Sequence, residues 1–437
     1  MTEVPPVDRA GDAGLAGGVG SPDALAAEPV RRVGRRWIAL IALANLGLYL
    51  GYFGPIAVLL PNQVQDIAGP AHKVAVLGVV TGLGAAVAMI ANPVAGALSD
   101  RTVSRFGRRR PWLVGGALAG GAALAFLAGQ HALAGVIAGW CLAQAGLNAL
   151  QASLSAAVPD HVPVEQRGTV SGWIGLRQSV GVLLAVVLVT KVVTGSAGYA
   201  LLAACVVACT LPFALGTPDS LLPAGARPPW SWPDFARSFW LSPRRYPDFA
   251  WAWLTRFAVN LGNGMTLLYL LYFLRDRLHY SQLFPGHKAE DGLVILILVY
   301  LAGVALTAVA GGVISDRTGR RKLPVTIAGL VMAAAALLLA LRPTWPATIA
   351  AAGLAGLGFG VYLSVDAALV TQVLPSAEGR AKDLGLINIA NSGPQVLAPA
   401  IAAPLVSQLG GYPTLFLSVA VITVLGSAFV WKIRSVP

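Results

Sequence analysis

Apolar residues in this chain come in runs of about twenty, separated by short clusters of Pro, Gly and Arg. Val74 to Leu98 and Leu323 to Leu341, for example, are dominated by Ala, Val, Leu and Gly. At 1.5 Å per residue, about twenty helical residues cross a hydrocarbon core ~30 Å thick. A spanning β-strand would instead alternate polarity over about ten residues, and that alternation is missing from these runs. The pattern predicts an all-α polytopic membrane protein with twelve transmembrane helices: 37–60, 74–98, 111–129, 133–158, 169–193 and 197–215, then 249–275, 291–314, 323–341, 346–372, 383–406 and 412–431. The domains follow: a disordered tail 1–36, a six-helix half 37–215, a linker 216–248, a second six-helix half 249–431 and a C-terminus 432–437.

Composition agrees with this reading. The chain is 56% hydrophobic and only 11% charged, less than half the charge of an ordinary soluble domain. The net charge of +12 does not point to nucleic acid, because the basic residues follow topology. Of 31 Lys and Arg, 23 lie on the side that holds both termini and 6 on the other, while Arg177 and Arg256 lie inside helices. Basic loops stay in the cytoplasm, so both termini are expected there, in a multi-pass protein of the cell membrane. The linker contains Pro228-Pro229-Trp230-Ser231-Trp232-Pro233 beside Arg237, Arg244 and Arg245, a mixture suited to the headgroup region on the cytoplasmic face. Cys141, Cys205 and Cys209 all fall inside apolar runs and read as packing residues. Lys191, near a helix end, is expected to snorkel to the surface.

The two halves repeat. Gly96-Ala97-Leu98-Ser99-Asp100-Arg101-Thr102 with Gly107-Arg108-Arg109 follows the second helix, and Gly312-Val313-Ile314-Ser315-Asp316-Arg317-Thr318-Gly319-Arg320-Arg321 follows the eighth. Pro159, Arg167 and Gly172 are echoed by Pro375, Arg380 and Gly385. Parallel six-helix repeats related by an axis along the membrane normal are one transporter architecture. Asp100 and Asp316 end their helices beside several arginines, so each carboxylate can hold an Arg or a helix N-terminus in one state and release it in another. This assigns gating to Gly96, Asp100, Arg101, Gly107, Arg108, Arg109, Gly312, Asp316, Arg317, Gly319, Arg320 and Arg321. Loop folding and positive-inside anchoring also account for many of these arginines.

The paired loops resemble the signature of the major facilitator superfamily over nearly the whole chain. The first copy carries four extra residues, Val103-Ser104-Arg105-Phe106, and is similar to that of the plant sucrose/proton symporters and the glycoside-pentoside-hexuronide cation symporters. Gly385-Leu386-Ile387-Asn388 with Pro394-Gln395 is similar to the same group. The resemblance implies the major facilitator fold and sugar transport coupled to a cation. Symporters of this group carry acids in their first-half helices, whereas helices one, two, four and five here carry none, so coupling would fall to the second half.

Polar residues recur at helical spacing inside five spans: Asn45, Tyr49 and Tyr52; Gln144, Asn148 and Gln151; Arg256, Asn260 and Asn263; Tyr362 and Asp366; and Asn388, Asn391 and Gln395. Amides, phenols and a guanidinium match sugar hydroxyls, so these residues and Arg177 form the expected substrate site, although helix-to-helix hydrogen bonds are the plain alternative for any one of them. Charges deep in a span are costly, and Asp366 is the one acid well inside a predicted helix. It is expected to carry the coupled proton, or else to form a permanent ion pair that fixes the packing of the two halves. The expected function is a secondary transporter, with no cofactor, importing a sugar or glycoside with protons and working as a monomer. A proton-coupled exporter of amphipathic compounds is the alternative, and the excess of one buried Arg leaves room for an anionic solute. No Walker A loop, metal-ligand cluster or nucleophile constellation suggests an enzyme or a pump.

Overall fold

In the computed structural model the described residues are 32–222, 231, 233, 243–318, 321–373 and 380–435; within the helices, side chains at a set of positions including 175–179, 309–318 and 380–388 are not described. Twelve long helices fill these segments. They are α1 (Arg35–Gly54), α2 (Leu60–Asp100), α3 (Arg110–Ala128), α4 (Leu133–His161), α5 (Val164–Val187) and α6 (Ala197–Gly216), then α7 (Pro247–Asp276), α8 (Ala289–Thr318), α9 (Lys322–Leu341), α10 (Trp345–Gln372), α11 (Arg380–Ser407) and α12 (Gly411–Phe429). Nine stretches of the described residues are long and apolar enough to cross a membrane, the longest being Arg35–Asp100, which covers two traverses. The expected loop between the first two spans is mostly helical. A π turn (Pro55–Leu59) carries α1 straight into α2, and the chain reverses at Gly69, where φ is 72° and Pro70 follows. Glycine reaches that left-handed conformation without a Cβ penalty, and proline cannot extend the helix before it.

Each packing in the first half has its counterpart six helices later. α1 packs on α5 and α6, α2 on α4, and α3 on α4 and α6; α7 packs on α11 and α12, α8 on α10, and α9 on α10 and α12. Small residues set these distances, as expected where lipid removes the hydrophobic drive between helices. A Cβ on Gly146 of α4 would lie 2.4 Å from the backbone nitrogen of Gly120 of α3; at the same register in the second half, Gly358 of α10 sits on Met332 of α9. Asn45-Leu46-Gly47 of α1 likewise returns as Asn260-Leu261-Gly262 of α7. Both asparagines donate to the carbonyl four residues earlier, at 2.9 Å, and both glycines admit the last helix of their half. The halves join chiefly through α2 against α11, with a smaller contact of α5 on α8.

Candidate functional site

Arg256 stands about 14 Å along α7 from its start, and Asp366 about 9 Å before the end of α10. Arg256 Nε lies 2.9 Å from Asp366 Oδ2, with the acid side chain 2% exposed and the guanidinium 14%. The N–H is not aimed at that oxygen, which has no formed hydrogen bond, so charge and proximity hold the pair. Tyr362, one turn before Asp366, brings its hydroxyl beside the same carboxylate, in a geometry too loose for a hydrogen bond. Both helices belong to the second half. The pair therefore ties α7 to α10, within one half, and not one half to the other.

The remaining polar positions divide by face. Asn260 donates to the Arg256 carbonyl at 2.9 Å, and beside it Trp253 and Phe257 stack with ring centroids 5.0 Å apart. Asn391 and Gln395 of α11 are exposed, while the side chains of Asn388 and Arg177 lie outside the described residues. In the first half Tyr52 donates to Gln151 at 3.0 Å, Asn148 to Gln144 at 3.0 Å, and Asn92 to Asn148 at 3.5 Å, a network joining α1, α2 and α4. Asn45 is buried against its own helix, and Tyr49 stacks on Phe53 next to Gly181 of α5. Asn263, seven residues on from Arg256 and so on nearly the same side of α7, points into the interior of the second half, where its Oδ1 accepts from Tyr300 at 3.4 Å.

The signature loop after α2 is bound within its own half. Asp100 pairs with Arg109; Arg109 Nε also meets Asp160 at 2.9 Å, Arg108 meets Asp160 at 2.7 Å, and Arg109 donates to Ser99 at 2.8 Å. Asp219, beyond α6, accepts the backbone N–H groups of Arg109 and Arg110 at 2.8 and 2.7 Å and so caps α3. Gly107, at φ 107°, leaves room for that carboxylate: a Cβ there would lie 2.1 Å from it. Arg101 closes α2 and is half-buried, and the nearest atom to a Cβ on Gly96 belongs to Ala152 of its own half, at 3.9 Å. In the second copy, Arg321 caps α9; Gly312, Asp316, Arg317, Gly319 and Arg320 lie outside the described residues or side chains.

At the end remote from the termini, the described residues make contacts between the halves that the sequence did not suggest. Lys73 of α2 pairs with Asp276 of α7 at 2.6 Å, its side chain 6% exposed. Arg275 holds Glu290 at 2.5 Å and donates to Asn62 and Gln65. Lys191, its side chain 52% exposed at the helix end, meets Asp291 of α8 at 2.5 Å and so also reaches the other half. Tyr272 and Tyr269 donate to the carbonyls of Pro61 and Val74 at 2.7 and 3.3 Å. On the same stretch of α2, Gly78 fits against Ala403 and Pro399 of α11. The remote end is thus closed by a seam with its lysines on the first half and its acids on the second.

Matching helix packing in two six-helix halves, a buried ion pair within one of them and a closed seam at one end define the class, a polytopic transporter fold built from two helical repeats. The profile of the Major Facilitator Superfamily matches residues 41–302 and 286–437, and the chain belongs to that family. Among solved structures it is similar to the peptide transporter POT in complex with sulfate (TM-score 0.72, 14% identity, covering 94% of this chain and 98% of that one). A mutant of the same transporter gives a TM-score of 0.73 at 15% identity, with the same coverage. A mutant of the nucleoside transporter NupG gives 0.69 at 15% identity, covering 90% of this chain and 100% of that one. At these identities the likeness speaks for the fold alone. A comparison with curated proteins found no match.

Proposed function

We propose that this protein imports a sugar or glycoside together with protons by alternating access, with Asp366 as the proton carrier and Arg256 as the group shared between carboxylate and solute. The observation that carries the reading is the Arg256–Asp366 pair, buried yet held without a formed hydrogen bond. A solute hydroxyl or carboxylate that takes Arg256 removes the charge stabilising an ionised Asp366, which then favours its protonated form. Loss of solute reverses the exchange, so proton and solute travel together. Asn260 lies one turn from Arg256, and the exposed amides of Asn391 and Gln395 add donors and acceptors of the kind sugars need. Basic residues crowd the side of the termini, which supports a cytoplasmic placement for that side and, with the remote seam shut, an inward-facing arrangement.

The test is uptake of a panel of labelled sugars into proteoliposomes with and without an inward-directed pH gradient, comparing wild type with Asp366→Asn. Uphill uptake of one sugar is expected to need the gradient and to fall at least about tenfold in the variant, while gradient-free exchange of that sugar continues. Exchange that survives separates lost coupling from misfolding. Uphill uptake that persists in Asp366→Asn, or no sugar moved under any condition, would sink the proposal.

A further inference from the structure

The second half holds a largely apolar, partly open cavity between α7, α8, α9, α10 and α12. We infer that it binds a small aromatic molecule carrying one hydrogen-bond acceptor, at a site separate from any path between the halves. The internal repeat shows what shape is missing there. Gly146 on Gly120 and Gly358 on Met332 fix the register of α4 with α10 and of α3 with α9. The repeated Asn-Leu-Gly fixes α1 with α7: Gly47 meets Cys205 and Cys209 of α6 where Gly262 meets Val419 and Thr423 of α12. In that register Trp140, Leu124 and Leu48 correspond to Ala352, Ala336 and Asn263.

The first three are fully buried and fill the interior of the first half. Their three smaller counterparts all line the cavity of the second. The exchange is only partly made good on α8. Gly84, against which the Trp140 indole packs, corresponds to Tyr300 through the register of the two signature loops. The Tyr300 hydroxyl reaches across to Asn263 Oδ1, and this leaves the space over Ala352 open. An interior normally packs to the density of an organic crystal, and a void lined by apolar groups stays dry and takes apolar guests.

The occupant follows from the walls. Ala335, Ala336, Ala351, Ala352 and Ala355 give a smooth apolar surface on two helices. The first half puts an indole at the same place, so a flat ring is the shape the helices accommodate. Asn263, which lines the cavity, supplies the polar contact: its Oδ1 accepts from Tyr300, and its Nδ2 has no acceptor among the described residues. A hydroxyl or carbonyl oxygen on the ring would satisfy it.

Benzyl alcohol is the probe, with thermal unfolding of the purified full-length protein in detergent as the readout. The melting midpoint of wild type is expected to rise saturably by roughly 2 °C or more, and toluene, which lacks the oxygen, to give a smaller rise. Ala352→Trp and Ala336→Leu, which restore the first-half residues, are expected to melt at or above the wild-type midpoint and to lose the response. Should Ala352→Trp fail to fold, Ala336→Leu adds only three carbons and decides alone. No rise in wild type, or an equal rise in Ala336→Leu, would overturn the inference.

Discussion

At Gly146 a single hydrogen atom sets how closely α3 and α4 approach, because the nearest neighbours are backbone atoms of Gly120 that cannot swing away. Gly146→Leu is therefore expected to force the helices apart, cost about 1–3 kcal/mol and lower the melting midpoint. Gly115→Leu, facing open space, should leave the midpoint unchanged in the same assay. Asp219→Ala removes the acceptor of the two amides that open α3, those of Arg109 and Arg110, and should cost about 1 kcal/mol, read as a lower midpoint with transport retained. Asp100 was legible as a loop residue because its arginines lie next to it. Asp160 and Asp219 were not, since each is a lone acid more than fifty residues from the Arg it holds or caps, and nothing local marks it. Asn263 carried the right spacing for a solute contact, yet spacing gives a face only relative to its own helix, and that face looks into the second half.

The seam at the remote end is built by the ends of elements. Each Lys or Arg there sits at a helix end or, for Lys73, just past the break at Gly69, where a long side chain reaches the facing half. Charged hydrogen bonds of this kind are worth about 1.5–3 kcal/mol, enough to change a two-state population about tenfold. Lys73→Ala is thus expected to open the seam more often. With Ala403→Cys as reporter, a membrane-impermeant maleimide applied from the remote side should label about tenfold faster than in wild type, and Lys73→Asp combined with Asp276→Lys should restore protection. Unchanged labelling would remove the pair from any gating role. The helices themselves were readable from the apolar runs, apart from the stretch around residues 61–73. That stretch fell between the expected spans 37–60 and 74–98, but Gln63 donates to the carbonyls of Leu127 and Gln130 and accepts from Tyr199, so a polar helix end is satisfied by its neighbours.

Over the whole molecule, most packing stays within each half, and α2 against α11 carries most of the rest. The six-plus-six organisation was visible in the paired loops before any coordinate, because a repeat needs only sequence to show itself. Residues 1–222 and 243–437, coexpressed as separate chains, are expected to copurify through a tag on one of them. Gly78→Leu, which drives a side chain into Ala403 and Pro399, should abolish the association. Copurification that survives this change would move the main joint away from α2 and α11.

The polarity of the seam has a consequence for how such a chain could be rebuilt. Its lysines, Lys73 and Lys191, belong to the first half, and their acids, Asp276 and Asp291, to the second. A hybrid made by fusing two copies of the first half would keep the shape of every helix contact within a half and bring four lysines to one end with none of these acids to meet them. That end would be held open by mutual repulsion. The two halves share an architecture that suggests duplication, but in this chain they have become unlike parts that can no longer stand in for each other.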